Sequence, residues 1–395
     1  MEQIYIKKNS DRRIKHGHQW FFSNELLALP KLDSGTLVEV ICKTESGDRQ
    51  FINNYGLAFY NPQSLISLRL LNCAETFNRE VIRERIVIAD NYRKRFFGTE
   101  TMYRLTYGES DNLPGLVIDR YGDYFSIQTL SAGIEHFLNE IVGVLYELFP
   151  ETKGIIEKNT SKQREYEGLE LREGILAGSI PEEIYQTEND IKLAISLESG
   201  QKTGYFLDQR LNRLFVQSIS KELKVLDCFC NQGGFALNAA KGGAEEITGI
   251  DISAEAISRA GHNAALNNFT NCKFITADVA DFMRTEIENK QSWDMIVLDP
   301  PAYTKSKKTI YTALAGYAKI NRLALQLLSP GGFLVSSSCS QLISEEMFAD
   351  AISKEAAKAG RRLTLAFRGQ QSPDHPILTG MPETQYLKFQ CYRVD

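Results

Sequence analysis

Apolar and polar positions follow one rhythm in the first half of the chain and another from Lys224 onward. Early on, the apolar runs are short and bounded by turn residues. Leu37 to Cys42, Gly56 to Tyr60 and Leu65 to Leu71 read as strands, with Gly47-Asp48 and Asn61-Pro62 as punctuation, which predicts a small β-barrel over residues 1–75. Residues 76–200 mix two periods. Thr76 to Phe97 carries Val81, Ile82, Ile86 and Ala89 at helical spacing, and Ile134 to Phe149 reads as a second helix. Leu116 to Asp119 and Tyr124 to Thr129 form a predicted hairpin turning at Tyr121-Gly122-Asp123. These residues are expected to make a central α+β domain. After that come compact apolar strands at Val225 to Phe229, Ile247 to Asp251, Cys272 to Asp278, Asp294 to Asp299 and Gly332 to Cys339. Between them, Ile257, Ala260, Gly261 and Ala264 mark one helix face, and Ile320, Leu323, Ala324 and Leu327 another. Regular alternation of strand and helix predicts a parallel sheet covered on both faces, an α/β domain over 201–395.

Composition narrows the setting. A chain of 395 residues with 43% hydrophobic and 24% charged residues has the make-up of a soluble globular protein of several domains. The first thirty residues hold no apolar run of signal-peptide or membrane-spanning length, so a cytoplasmic protein without a membrane partner is expected. The seven cysteines are scattered without a C-x-x-C pair, the pattern of reduced thiols rather than disulfides or a metal site. The net charge of −5 does not advertise a nucleic-acid binder, so any such contact must come from local patches.

The chemistry concentrates at the strand ends, where open parallel sheets bind their ligands. Asp227, Asp251, Asp278, Asp299 and Cys339 stand at or near the ends of five successive strands. Any one acid there could simply cap the next helix; five polar ends on one edge describe a cleft. The first loop, Asp227-Cys228-Phe229-Cys230-Asn231-Gln232-Gly233-Gly234-Phe235, lets a ligand approach backbone and a helix N-terminus. It is not G-x-G-x-x-G, which disfavours a nicotinamide cofactor. Asp251 is placed to accept ribose hydroxyls, and Asp278-Val279 to meet an adenine amine. A nucleoside cleft without a phosphate cradle suits S-adenosyl-L-methionine. Asp299-Pro300-Pro301 fixes a carboxylate toward that cleft through two rigid residues. Cys339, within Ser336-Ser337-Ser338-Cys339-Ser340, ends the neighbouring strand. A thiolate there could add to carbon 6 of a cytosine and make carbon 5 nucleophilic enough to accept a methyl group.

These motifs together resemble a known family. The run Lys202-Thr203-Gly204-Tyr205-Phe206-Leu207-Asp208-Gln209-Arg210, then D-x-F-x-x-x-G-G-F, D-P-P and S-C-S, is similar to the large-subunit ribosomal RNA cytosine-C5 methyltransferases. Gly17 to Glu25 resembles the opening of their RNA-binding PUA domain, and Glu109 to Leu116 part of their central domain. The resemblance implies a Rossmann-like class I methyltransferase domain behind a PUA-like β-barrel. It implies a cofactor site of Phe206, Asp208, Gln209, Arg210, Asp227, Phe229, Gly233, Gly234, Asp251, Ile252, Asp278, Val279, Asp299 and Pro300, with Cys339 and Asp299 catalytic. The chain departs from the family pattern at Ala302-Tyr303 after D-P-P, at Gln232 before the glycines, and at Lys158 to Arg164, where a basic run is usual.

The implied partner is ribosomal RNA of the large subunit, and a homodimer is left open. Two patches would meet RNA: Lys7, Lys8, Arg12, Arg13 and Lys15 beside Trp20, Phe21 and Phe22, and Lys305, Lys307 and Lys308 followed by Tyr311 and Tyr317. Two other readings stand beside this one. D-P-P followed by an aromatic also suits a purine N-methyltransferase, which needs no cysteine. A PUA-bearing RNA-binding protein with a non-catalytic methyltransferase fold would need no acids at the cofactor positions.

Overall fold

The computed structural model describes residues 1–46, 49–198, 203–304 and 306–395. The chain forms two compact units. The first comprises Met1–Gln186, Ile195–Leu207 and Pro373–Thr384; the second comprises Thr187–Ala194, Asp208–Ser372 and Gln385–Asp395.

The first unit begins with a five-stranded sheet in the order Gln3–Ile6, Thr36–Ser46, Arg49–Tyr60, Ile66–Leu70, Trp20–Phe22. It curls around Ile4, Ile6, Phe21, Val38, Val40, Tyr60 and Leu68. The two edge strands do not pair, so the expected barrel is a half-barrel. Its two long strands extend well beyond Leu37–Cys42 and Gly56–Tyr60, and the expected turn at Gly47-Asp48 lies outside the described residues. A second five-stranded sheet follows in the order Arg172–Gly178, Gly154–Asn159, Tyr124–Thr129, Leu116–Tyr121, Met102–Tyr107. Helix Arg79–Phe97 packs on it through Ile82 and Ile86, with the Asn78 side chain accepting from Glu80 N and Val81 N at its start. The helix expected over Ile134 to Phe149 is two pieces, Ala132–Glu135 and Leu138–Leu148. The break falls where Phe137 leaves helical geometry and packs its ring against Phe59 and Phe77.

The second unit is built on a seven-stranded sheet. Its strands are β1 (Lys224–Cys228), β2 (Glu246–Asp251), β3 (Cys272–Thr276), β4 (Trp293–Leu298), β5 (Leu328–Ser338), β6 (Leu363–Gly369) and β7 (Lys388–Val394). The order is β3-β2-β1-β4-β5-β7-β6, with only β7 antiparallel to its neighbours. The helices are α1 (Arg210–Ile219), α2 (Gly234–Lys241), α3 (Ala254–Leu266), α4 (Val279–Glu288), α5 (Ile310–Leu327) and α6 (Glu345–Lys358). Strand periodicity divides the core. Leu226, Cys228, Ile296 and Leu298 face Met283, Tyr317, Ala324 and Phe348, whereas Val225, Ile247, Met295 and Val297 face Val216, Phe235 and Ala236. Strand order reverses between β1 and β4, so their carboxyl ends open a crevice there.

A hairpin of Ile184–Glu188 and Ile191–Ile195 turns on Asn189 and Asp190, both at positive φ, as a two-residue hairpin loop requires. Its Glu188 is buried and holds two buried guanidinium groups of α1. Arg213 Nε and Nη2 donate to its two oxygens at 2.7 and 2.9 Å, and Arg210 Nε donates at 3.3 Å. Removing the shared acceptor would leave both cations buried together. Glu188→Ala is therefore expected to lower stability by ~3–5 kcal/mol, read as a shift of the urea unfolding midpoint. An unshifted midpoint would mean that water or another acid already compensates the two arginines.

Candidate active site

The cleft begins with one buried carboxylate. Asp227 lies in β1 on the face turned toward α2, and its Oδ2 accepts from Ala236 N at 2.8 Å. That bond fixes the start of α2 against the strand. The loop between them turns sharply through positive φ at Phe229 (62°), Asn231 (47°) and Gly233 (83°). A Cβ at Gly233 would sit 3.2 Å from Ala260 Cβ and 3.3 Å from the Phe274 ring, so the loop lies close on α3 and β3. Gly249, paired with Phe274 across β2 and β3, is tighter still: a Cβ there would lie 2.6 Å from the same ring.

Asp251 ends β2, half-buried, with Oδ2 accepting from Asn231 N at 3.0 Å and Oδ1 from Ser253 N at 2.9 Å. Asp299 follows β4 directly, and its Oδ1 accepts from Gln209 Nε2 at 3.0 Å. Gln209 is held in turn by Asn212, whose Nδ2 donates to Gln209 Oε1 at 2.6 Å. In the parallel register, Asp227 is level with Gly249 and Val297, so Asp251 and Asp299 stand two residues further along the strands on either side. Three carboxylates thus line one edge. Burial pushes the Asp227 carboxyl up to about 8; the Ala236 amide works against this, and the charges of Asp299 and Asp251 add to it. The second oxygen of Asp227, Oδ1, is buried and has no hydrogen-bond partner among the described residues.

Cys339 follows β5 and is half-buried, its Sγ 4.0 Å from the carbonyl oxygen of Pro300. The two serines beside it tie the strand end down. Ser338 Oγ donates to Tyr317 Oη at 2.9 Å, Ser340 Oγ lies 3.0 Å from the same hydroxyl, and Tyr303 N donates to Ser340 Oγ at 3.1 Å. One tyrosine hydroxyl of α5 therefore fixes both sides of the cysteine and, through Ser340, the segment after D-P-P.

The remaining expected site residues have other partners or surroundings. Asp278 is exposed and caps α4, accepting from Asp281 N at 3.0 Å, while Val279 beside it is buried. Ile252 is 75% exposed. Asp208 accepts from Tyr386 Oη at 2.6 Å, and Arg210 is buried against Glu188. Phe206 belongs to the first unit, where the preceding residues are anchored: Thr203 donates to Asp119, and Tyr205 N donates to Tyr121 Oη at 3.0 Å. Lys202 lies outside the described residues.

The basic patches are thinner than the sequence suggests. Arg13 forms a two-pronged bond to Glu25 at 2.8 and 2.9 Å and lies over Phe22; Lys15 pairs with Asp11; Lys7 reaches the Asn24 carbonyl. Lys8 and Arg12 are exposed. Phe21 is in the half-barrel core, whereas Trp20 is half-buried, its Nε1 donating to Glu109 and Arg69 lying over its ring. In the second patch, Tyr317 is buried and Tyr303 packs against it at 4.6 Å. Lys307, Lys308 and Tyr311 are exposed, Tyr311 at 84%; Lys305 lies outside the described residues. The Tyr317–serine network and Lys388, whose ammonium reaches the end of β5, are not among the expected site residues. The two serines around Cys339 were the available signal for the first.

Fold and strand-end acids together define a class I S-adenosylmethionine-dependent methyltransferase fold with an N-terminal PUA-like domain. Residues 219–384 match a methyltransferase-domain family and residues 4–72 a PUA-like domain family. The chain is 36% identical over 394 residues to ribosomal RNA large subunit methyltransferase I of Tolumonas auensis, spanning 98% of this chain and 97% of that one. It is 37% identical over 400 residues to the protein of the same name from Vibrio cholerae, spanning 98% of each. The chain belongs to the ribosomal RNA large subunit methyltransferase I family. Its fold also matches the crystal structure of SMU.776, described as a methyltransferase complexed with SAH, with a TM-score of 0.85 and 23% identity over the full length of both chains. No helix among the described residues is long and apolar enough to cross a membrane.

The raised Asp227 carboxyl makes a signed prediction. In the fold it keeps its proton between its ordinary value of 3.8 and about 8, where the unfolded chain has released it. Its contribution to stability is full below pH 3.8 and lost as pH rises through about 8. The ligand-free wild type should lose stability across that window with a slope approaching ~1.4 kcal/mol per pH unit. Asp227→Asn should remove that slope, measured by denaturant titrations at pH 5, 6, 7 and 8. Parallel profiles for the two proteins would show that Asp227 is ionised in the fold.

Proposed function

We propose that this protein methylates carbon 5 of a cytosine in large-subunit ribosomal RNA, with Cys339 as a covalent nucleophile. The observation that carries the reading is the approach of the Cys339 thiol to Pro300 of D-P-P, 4.0 Å from its carbonyl, at neighbouring ends of β4 and β5. The family relationship supports ribosomal RNA as substrate.

The acid-lined edge suits a cationic donor. S-adenosyl-L-methionine supplies an electrophilic methyl group from a sulfonium and carries an ammonium and a ribose. Asp227 Oδ1 offers a buried acceptor to the ammonium, Asp251 suits the ribose hydroxyls, and the turn through Phe229 to Gly234 gives the backbone close approach. A cation here would also relieve the mutual repulsion of Asp227, Asp251 and Asp299.

In the proposed cycle Asp299, steadied by Gln209, accepts from the cytosine amino edge. The Cys339 thiolate forms a bond to carbon 6, and the ring electrons it displaces make carbon 5 nucleophilic. As carbon 5 takes the methyl group, the sulfonium S–CH3 bond breaks to leave a neutral thioether; the carbon 5 proton then passes to water, and its electron pair restores the double bond and expels the thiolate. The half-barrel and the exposed Lys307, Lys308 and Tyr311 serve RNA binding, phosphate through the cations and a base through the ring. We assign residues 1–75 to RNA binding, 76–200 to a central domain and 201–395 to catalysis.

Two measurements test this. Cys339→Ala should remain folded and abolish 5-methylcytosine formation, and 5-fluorocytosine RNA should trap the wild type, but not the variant, as a covalent adduct. Near-normal methylation by the variant would sink the cysteine route and favour purine nitrogen methylation. Separately, changing Lys307 and Lys308 to alanine should reduce the salt dependence of RNA binding by about 1–2 units of logarithmic slope. An unaltered slope would place the phosphate contacts on another surface.

A further inference from the structure

We propose that Lys388 is a positioning residue for Cys339: its ammonium, anchored at the end of β5 by two carbonyls, supplies the positive charge beside which the thiolate forms. The inference rests on the cysteine reading of the site and adds to it the source of the nucleophile's activation.

The geometry comes from the antiparallel pairing of β5 and β7, in which Lys388 is opposite Ser338, one residue before Cys339. Lys388 Nζ donates to the carbonyl of Ser340, one residue after Cys339, at 2.7 Å, and to the carbonyl of Tyr386 at 2.7 Å. The side chain is therefore clamped beside the strand end that carries the thiol. It is only 8% exposed, and among the described residues it makes no ion pair. A buried ammonium held only by neutral carbonyls is poorly compensated, and any anion that forms beside it is favoured.

The Asp299 carboxylate at the adjoining end of β4 disfavours a thiolate, and Lys388 is the cation that offsets it. Burial draws the Lys388 ammonium down to about 8, and the two groups that oppose the shift are Cys339 and, less strongly, Glu345. Glu345, at the start of α6, is itself paired with Arg368 of β6 at 2.7 Å. From α5, Tyr317 meets the strand end only through its hydroxyl on Ser338 and Ser340, and burial keeps its phenol protonated. Cys339 is thus the group whose ionisation most directly answers the Lys388 charge. A free thiol is only a few per cent ionised at neutral pH, so stabilising the thiolate multiplies the nucleophile available. The thiol proton leaves to water, and Lys388 keeps its own.

The test reads Cys339 ionisation directly, without methyl transfer. Iodoacetamide alkylation of the full chain is followed from pH 6 to 10, with the Cys339 peptide resolved from the other thiols by mass spectrometry. Lys388→Gln keeps a hydrogen-bond donor but removes the charge. It should slow Cys339 alkylation at pH 7 by about tenfold or more and move the profile toward higher pH, the size expected for losing an adjacent opposite charge. Lys388→Arg should stay close to the wild type. A glutamine variant that melts like the wild type and has the same alkylation profile would overturn the proposal.

Should the glutamine variant not fold, the reciprocal arm decides. In Cys339→Ala the lysine loses its counter-charge, so acetylation of Lys388 by acetic anhydride at pH 7, below its own titration near 8, should become faster by about threefold or more; an unchanged rate would overturn the proposal. Retained methylation by Cys339→Ala would instead remove the cysteine mechanism and leave the alkylation result as it stands.

Discussion

The hydrogen bond from Ala236 N to the buried carboxylate of Asp227 is the constraint on which the cleft depends. It joins the last buried stretch of β1 to the first turn of α2, so the loop between them must reverse within a few residues. The positive φ values at Phe229, Asn231 and Gly233 follow from that shortness. Asp251 then takes the Asn231 amide exposed by the turn. Burying an acid is costly unless it is bonded or protonated, and Asp227 is both bonded on one side and raised toward neutrality. An edge of three acids is tolerable because one of them need not carry its charge.

Apart from Lys388, the opposite wall of the cleft is held by neutral groups. Tyr317 is buried among Phe348 and Tyr303, and its hydroxyl serves as the single anchor for both serines of the S-C-S segment. Gln209 plays a comparable part for Asp299, taking its orientation from Asn212, which also donates to the Gln370 carbonyl at 3.1 Å. Side chains that face the cleft are thus positioned by others that do not, each with its hydrogen-bond geometry already fixed by packing. Reacting groups held this way need little reorganisation when a substrate arrives.

Much of this was legible in the residues. The α/β rhythm after Lys224 gave the five parallel strands because a buried parallel strand is a short continuous apolar run, which turn residues delimit clearly. Strand ends came out one to two residues long at Asp278 and Cys339, since a polar terminal residue can belong to either a strand or a cap. The last two strands were not foreseen. Lys388 to Val394 mixes polar and apolar residues, and its burial comes from neighbours on both sides that are distant in sequence. Lys388 was therefore invisible as a buried cation. The same limit applies to the N-terminal patch: a run of lysines and arginines says nothing of Glu25 and Asp11, which fold back to pair with Arg13 and Lys15. Aromatic residues close in sequence to cations were likewise split by strand and helix periodicity, leaving Tyr311 outside and Phe21 and Tyr317 inside.

Phe274 contributes no polar group to the cleft, yet its ring fills a slot formed by two glycines, Gly249 across the strand pair and Gly233 in the loop. Side-chain volume at these three positions is therefore a shared quantity. A methyl group added at Gly249 would need the ring to give way, and a smaller residue at 274 would let the loop sag toward β3 unless Gly249 grew to fill the gap, since the positive φ of Gly233 holds that position to glycine. Substitutions at 249 and 274 should not be independent: how the loop rests on β3 depends on the sum of their two volumes, and these positions can drift only by exchanging bulk between them.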